Sequence, residues 1–153
     1  MREALFRGKR VDNGEWVEGA TLTVLYQENT ALIFMPQAGE SVKADVMDSN
    51  DRILTSIYGN FYQVIPATVE QYTGLKDKKR KKIFSGDICE FDNGEPDENE
   101  RYTNYVVQWD CINCQYVVVD GHNREDCLDI FFAKNAKVIG NIHDNPELLG
   151  GVD

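Results

Sequence analysis

The chain lacks most of the side chains and motifs on which enzymes rely. Only two histidines, His122 and His143, occur among its 153 residues, so acid–base chemistry near neutral pH has few candidates. It contains no glycine-rich phosphate loop, no H-E-x-x-H and no G-x-S-x-G. These absences exclude the common motifs of nucleotide-binding proteins, metalloproteases and serine hydrolases. The sequence therefore predicts a protein that is not an enzyme and that holds no cofactor.

Long apolar runs are also missing. No stretch approaches the ~18 apolar residues that a membrane-spanning helix requires, and the N-terminal residues include no apolar segment typical of a signal peptide. We therefore expect a cytoplasmic protein that makes no contact with membrane. In that compartment its four cysteines are expected to remain reduced thiols.

Positive charge is scarce. Sixteen lysine and arginine residues face 26 acidic ones, which gives a formal net charge of −10. This charge opposes non-specific binding to nucleic acid, whose affinity comes mainly from neutralised phosphates. It indicates a soluble surface, and mimicry of DNA by that surface is the alternative. The acidic residues are scattered along the chain and do not follow one helix face, which favours the first interpretation.

The sequence does contain strong signals for β-strands. Segments rich in β-branched and aromatic residues alternate with turn residues, and Asn13-Gly14 predicts a tight type I′ hairpin. Gly59-Asn60 predicts a second reversal. Residues 128–133 fit either a strand or a short helix, and 145–150 fit one helical turn. The predicted strands are 16–26, 31–35, 42–47, 53–58, 61–65, 71–75, 82–84, 88–91, 102–109, 115–119 and 138–142.

These signals predict an all-β protein of one domain, 1–153, which is an ordinary domain size. From residue 71 onward the order is strand, Gly-Asp bend, strand, polar loop and strand. Small SH3-like barrels often have this order. We therefore expect an SH3-like, barrel-like part at 67–153 and an N-terminal β-layer or meander at 1–66.

Three phrases of the sequence carry a family resemblance. Residues 71–91 read QYTGLKDKKRKKIFSGDICEF, which resembles the Q-Y-T-G-L-K-D-K hairpin and I-[FY]-x-G-D-I of the YopX family of phage and prophage proteins. Residues 2–7, REALFR, resemble the opening R-E-x-x-F-R of that family. VIGNI at 138–142 and NPELL at 145–149 resemble its closing phrase. The matches occur in the family's order, so the resemblance extends over the whole chain.

The resemblance implies a small accessory product of a phage or prophage that acts in the host cytoplasm. It brings no established activity with it. Our first hypothesis is a non-enzymatic interaction module that binds a host or phage protein. The alternative is a nucleic-acid-binding module, and an enzyme ranks third. The sequence leaves the oligomeric state open, including a homo-oligomer.

The nucleic-acid hypothesis depends on a basic hairpin tip at 76–82, which has six basic residues and one acid. Family members usually have Asn-Gly at this turn, whereas this chain has Lys79-Arg80, so we predict a longer turn. The tip fits a solvated turn, a partner of the acidic segment 90–100, or a clasp for phosphate. Its candidate binding residues are Lys76, Lys78, Lys79, Arg80, Lys81 and Lys82.

The remaining candidates are thiols and aromatic rings. Cys111 and Cys114 have the spacing of half a zinc knuckle, and Cys127, Cys89 and His122 are the weaker candidates for further ligands. The chain has no second C-x-x-C, so we expect ordinary thiols and no metal. Aromatic residues recur on the predicted strands, where packing within the sheet is the usual explanation and stacking on bases is the functional alternative.

Overall fold

The computed structural model describes residues 4–19, 21–25, 30–35, 42–47 and 50–150. Side chains are described in these ranges except at 21–25, 30–35, 42–47 and 54–61. The chain divides into two compact units, Met1–Gln71 and Tyr72–Asp153, and the predicted boundary at 66/67 lies shortly before this division. Within the described ranges, no helix is long and apolar enough to cross a membrane.

The N-terminal unit is built from antiparallel strands. One sheet has the order β3-β4-β6-β5. A hairpin, β1–β2, pairs with the first two residues of β7, which follow the 3₁₀ turn Pro66–Thr68. The strands are β1 (Phe6–Lys9), β2 (Trp16–Gly19), β3 (Thr21–Leu25), β4 (Thr30–Met35), β5 (Val42–Met47), β6 (Ile53–Val64) and β7 (Glu70–Lys76).

The predicted reversal at Gly59-Asn60 is wrong. β6 runs without interruption through both residues and changes its partner there: Gly59 pairs with Val42 of β5, and Asn60 pairs with Met35 of β4. A glycine inside a strand can mark a bend or a partner change as well as a turn. The local sequence does not separate these cases, because the deciding hydrogen bonds come from distant strands.

The predicted type I′ turn at Asn13-Gly14 is also wrong, although the hairpin itself is present. Arg10 donates its backbone N–H to Glu15 at 2.9 Å, and Gly14 donates to Arg10 at 3.0 Å. Of the two turn residues, only Gly14 has positive φ (71°). The side chain of Asn13 accepts the N–H of Glu15 at 3.0 Å, which stabilises the wider loop.

The C-terminal unit contains a five-stranded antiparallel sheet in the order β12-β11-β10-β9-β13. The rest of β7 forms a hairpin with β8. The bounds are β8 (Lys82–Phe84), β9 (Asp87–Asp92), α1 (Glu98–Arg101), β10 (Tyr102–Asp110), β11 (Gln115–Asp120), β12 (Glu125–Cys127), α2 (Ile130–Asn135) and β13 (Ala136–Asn141). A 3₁₀ turn, Pro146–Leu149, follows β13, as predicted.

The core of this unit lies between the sheet, β8 and α2. Its buried side chains come from β8, β9, β10, β11, α2 and β13. Burying them removes apolar surface from water, which is the main favourable term in folding. The members are Ile83, Cys89, Val107, Val118, Phe132, Ala133, Ala136 and Val138.

The segment 128–133, which the sequence left between strand and helix, leads into α2. Asp129 begins the helix, because its Oδ1 accepts the N–H of Phe132 at 2.8 Å. This side-chain bond replaces a partner that the first turn of a helix lacks. The helix ends at Asn135, and β13 begins at the next residue.

The all-β prediction is confirmed, since strands make up 49% of the chain against ~20–25% in an average domain. The predicted strands of the C-terminal unit recur within two residues of their observed bounds. The last strand of the sheet, β13, returns to pair with β9. The SH3-like arrangement and its closure into a barrel stay predictions.

Candidate functional site

The basic hairpin tip is organised by a buried carboxylate, that of Asp77. This side chain is 5% exposed, and its Oδ1 accepts the backbone N–H groups of Lys79 and Lys81 at 2.8 and 2.9 Å. Its Oδ2 accepts the N–H of Val138, 61 residues away, at 2.9 Å. Lys78 adds a backbone bond to Ala136 at 3.0 Å. Two of these hydrogen bonds therefore join the tip to β13, and the other two hold the backbone of the turn in one position.

The turn is longer than a two-residue I′ turn, as predicted. Arg80 donates its N–H to Asp77 at 2.9 Å, and Asp77 donates to Lys81 at 2.8 Å, so three residues form the connection. Arg80 has a φ of 66°, the left-handed conformation that a three-residue hairpin loop needs at its last position. A side chain with a Cβ adopts this conformation at a cost.

The candidate binding residues of the tip are mostly exposed. The five exposed residues are Lys76, Lys78, Lys79, Arg80 and Lys81. Lys82 is half-buried, with its Nζ 5.9 Å from the centre of the Tyr72 ring.

The acidic segment 90–100 has a cation from its own loop. Asp92 pairs with Arg101 at 2.8 Å. The Arg101 guanidinium, helped by the N–H of Gly94, lowers the pKa of Asp92 to about 2.

The candidate metal ligands lie in different surroundings. Cys89 is buried in the core, whereas Cys111, Cys114 and Cys127 are exposed. Cys111 and Cys114 begin and end the turn between β10 and β11, and His122 lies in the turn after β11. In the part of the chain that the structure describes, no three His, Cys, Asp or Glu side chains are arranged to hold a metal ion. That these cysteines are ordinary thiols stays a prediction.

The phrases that carry the family resemblance contribute to the fold. Asp87 of the G-D-I phrase is 1% exposed, and its Oδ2 accepts the N–H of Phe84 at 2.8 Å. The Oδ1 of Asn141 accepts the N–H groups of His143 and Asp144 at 3.0 Å. A Cβ at Gly140 would lie 2.6 Å from the Oδ1 of Asn145, so the close approach requires glycine there. Residues 2 and 3 of the opening phrase lie outside the described residues.

A polar groove of about 510 Å³ lies beside β10 and the turn after β11. Two of its polar side chains are engaged within the protein. Asn104 donates to the carbonyl of Leu148 at 2.6 Å, and Asp120 accepts from Arg124 at 2.6 Å. These two side chains therefore stabilise the C-terminal 3₁₀ turn and the turn after β11.

A second surface is aromatic and lies at the start of α2. Phe91 on β9, Tyr105 on β10 and Phe132 on α2 form the floor and walls of a narrow cleft of about 100 Å³. Phe131 stands at its edge. We call this feature the aromatic cleft. Phe91 and Phe131 also line an open groove of about 390 Å³, which Arg101 borders as well.

The rings of the aromatic cleft pack against one another. Phe91 and Phe132 stack with centroids 4.9 Å apart and planes 9° apart. Tyr105 meets Phe132 edge-on at 5.5 Å, and Phe131 lies 6.5 Å from Phe91. These separations fall within the favourable range for aromatic pairs, so the cleft has defined walls.

Two carboxylates line the same cleft. Asp126 accepts the N–H of Cys127 at 2.7 Å and Asp129 accepts that of Phe132 at 2.8 Å, each through Oδ1. Burial raises the pKa of the nearby Tyr105 phenol, and the charges of Asp120 and Asp126 raise it further, against the opposing effect of Arg124. The cleft therefore combines apolar walls with a negative rim.

Sequence reasoning placed aromatic residues on the predicted strands but missed this site. A usable signal was present, because Ile130-Phe131-Phe132-Ala133 follows Asp129, an N-cap residue type. A short amphipathic helix buries one face, so four consecutive apolar residues cannot all face the core. Phe132 and Ala133 are buried, whereas Ile130 and Phe131 are exposed.

Comparison with known proteins agrees with the resemblance seen in the sequence. The model of the YopX protein family matches residues 5–150, so the chain belongs to this family. The crystal structure of protein EF1440 from Enterococcus faecalis is similar in fold, with a TM-score of 0.50 and 22% identity over 98% of this chain and 100% of that one. No curated protein sequence matches the chain.

We predict that Arg80→Gly stabilises the protein. Glycine adopts the positive φ of this position without the steric cost that arginine bears, so the free energy of unfolding in urea should rise by about 0.5–1 kcal/mol. Lys79→Gly is the matched control, since Lys79 is not among the residues with positive φ. It should lower stability slightly. An equal response of the two variants would contradict the left-handed assignment.

We predict that Asp77→Ala destabilises the protein strongly. The change removes the acceptor of three N–H groups, of which that of Val138 lies in the interior, and the loss should be about 2–4 kcal/mol. Asp77→Asn keeps one carboxamide oxygen and should lose less. Chemical unfolding measures both variants. A loss in Asp77→Ala below ~1 kcal/mol would mean that the tip does not depend on this carboxylate.

Proposed function

We propose that the protein is a non-enzymatic interaction module that binds a host or phage protein in the host cytoplasm. The observation that carries this proposal is the exposure of two adjacent large apolar side chains at the start of α2. Ile130 is 62% exposed and Phe131 is 67% exposed. Together with the aromatic cleft they form the candidate docking surface.

Two features favour a protein partner for this surface. Contiguous exposed apolar side chains beside concave features are typical of protein-interaction sites. Phenylalanine is also enriched in the buried centres of interfaces. Here Phe131 lines both the aromatic cleft of about 100 Å³ and the groove of about 390 Å³, so a partner in either concavity can contact it.

Charge indicates the kind of partner. Asp126 and Asp129 border the cleft, and the whole chain carries a net charge of −10. Complementary potentials speed association and disfavour wrong partners. We therefore expect the partner to present a positively charged segment with apolar side chains at its centre.

The fold also leaves this surface available. The family phrases supply Asp77, Asp87 and Gly140, whose contacts hold turns and strands. The exposed apolar residues of the docking surface, Ile130 and Phe131, lie outside these phrases, whereas Phe91 of the cleft belongs to residues 71–91. One fold can therefore present different binding surfaces in different proteins. Membership in the YopX family supports an accessory role for this protein.

The test is affinity capture from infected host cells. Wild-type protein and Ile112→Ser should retain the same partner, whereas Ile130→Ser/Phe131→Ser should lose it. Loss of a central apolar anchor costs about 2 kcal/mol or more, which is ~30-fold in affinity. Ile112 is the matched control, because it is 88% exposed in the β10–β11 turn. Equal retention by the double variant, or no specific retention by wild type, would refute the proposal.

A second candidate function is nucleic-acid binding by the basic hairpin tip. The observation that favours it is a group of exposed cations on a turn whose backbone Asp77 holds in place. A preorganised group of lysines and an arginine is suited to phosphate. The net charge of −10 opposes it, since a polyanion is repelled over a Debye length of ~8 Å.

Salt-dependent binding assays distinguish this candidate. We expect no measurable affinity for DNA or RNA at about 150 mM salt, for wild type and for Lys79→Gln/Arg80→Gln alike. Lys134→Gln/Lys137→Gln, which removes two exposed bases elsewhere in the same unit, is the control. Micromolar binding that only the tip variant loses, with a salt slope lower by about 2, would make nucleic-acid binding the better proposal.

A further inference from the structure

We infer that the aromatic cleft binds the guanidinium group of an arginine side chain, presented by the protein partner. This inference rests on the proposed function and names the chemistry of its central contact. Apolar walls alone would accept any hydrophobic side chain. The combination of ring walls, small volume and two carboxylates selects a planar cation.

The walls have the chemistry that attracts cations. Phe91, Tyr105, Phe131 and Phe132 all line the cleft, and the faces of aromatic rings carry partial negative charge. The stacked pair Phe91–Phe132, 4.9 Å apart, is the more buried part. Phe131 is exposed at the edge, where its ring can cover a ligand.

The volume restricts the ligand to a side-chain head group. The cleft has a volume of about 100 Å³. It lies well below the ~300–1,000 Å³ of pockets that bind whole small molecules. A guanidinium group, with four heavy atoms in a plane, matches this space.

The carboxylates supply the directional contacts. Asp126 and Asp129 each use Oδ1 for a backbone N–H, which fixes their orientation. Among the contacts described for these two side chains, Oδ2 of each remains for a ligand. Arginine presents several N–H donors in a plane, stacks on rings and pairs with carboxylates, whereas lysine acts as a point charge. The cleft therefore favours arginine over lysine.

The protein itself shows the same contact elsewhere. Arg7 lies over Trp16 with its Cζ 4.7 Å from the ring centre, and Arg10 lies over Tyr62 at 4.6 Å. In both cases an acidic side chain also binds the guanidinium: Glu70 for Arg7 and Asp12 for Arg10. The aromatic cleft has the ring and acid components of this arrangement, and the partner would supply the arginine.

The ligand test uses the full chain, labelled for NMR, and two probes of nearly equal shape. N-acetylarginine amide should shift the signals of Phe91, Tyr105 and Phe131, with a dissociation constant on the order of 1–10 mM. N-acetylcitrulline amide is the matched control, because it replaces the guanidinium with a neutral urea group. It should bind at least ~10-fold more weakly at constant ionic strength. Equal binding of the two probes would overturn the inference, and so would N-acetyllysine amide binding as tightly as arginine.

Three variants locate the effect. Asp126→Asn/Asp129→Asn removes both charges but keeps an oxygen acceptor for the local N–H groups, and asparagine is a good N-cap. It should weaken the binding of N-acetylarginine amide ~10-fold. The control Glu15→Gln/Glu147→Gln removes two charges outside the cleft and should leave this binding unchanged. Phe131→Leu keeps the apolar contact but removes a ring face, so it should weaken the arginine probe by about threefold. Unchanged arginine binding in the Asp126/Asp129 variant would overturn the inference.

The outcomes separate this inference from the proposed function. Capture of a partner that depends on Ile130 and Phe131, together with no preference for arginine over citrulline, would keep the protein-binding function and reject the cleft's specificity. Selective arginine binding without capture of any partner would support the specificity of the cleft and reject the protein-binding function. Agreement of both results would identify the partner's contact residue by chemical type.

Discussion

The buried carboxylate of Asp77 is the contact on which much of the C-terminal unit depends. It accepts two N–H groups within its own turn and a third from Val138, so it joins the β7–β8 hairpin to β13. β13 in turn pairs with β9, and α2 ends where β13 begins. One side chain thereby helps to place the helix that carries the docking surface.

This arrangement explains why the buried carboxylates and the exposed docking residues Ile130 and Phe131 have separate roles. A buried carboxylate needs its full set of donors, because an unsatisfied charge in the interior is costly. Residues such as Asp77 and Asp87 are therefore tied to the backbone around them and have no surface on which to meet a partner. The exposed side chain of Phe131 on α2 has no buried donors to satisfy. We therefore expect a substitution of Phe131 to leave the turn at Asp77 intact.

Sequence reasoning succeeded where the pattern is local. β8, β10 and β11 follow from short runs of β-branched and aromatic residues between turn residues, and the 3₁₀ turn after Asn145 follows from Pro146. It failed where distant strands decide. Gly59-Asn60 lies inside β6 because β4 and β5 bind its two halves, and no local rule contains that information. The exposed start of α2 had a local signal at Asp129, but the assembly of the aromatic cleft did not, since its rings come from β9, β10 and α2.

The sequence by itself determined the family, the all-β class, the acidic surface and the longer turn at Lys79-Arg80. All of these depend on composition or on neighbours along the chain. Only the tertiary structure decided that Asp77 is buried and bonded to β13, that Phe132 faces the core while Phe131 faces out, and that Asp126 and Asp129 border one cleft. Burial and proximity depend on contacts between segments far apart in sequence, and such contacts exist only once the chain has folded.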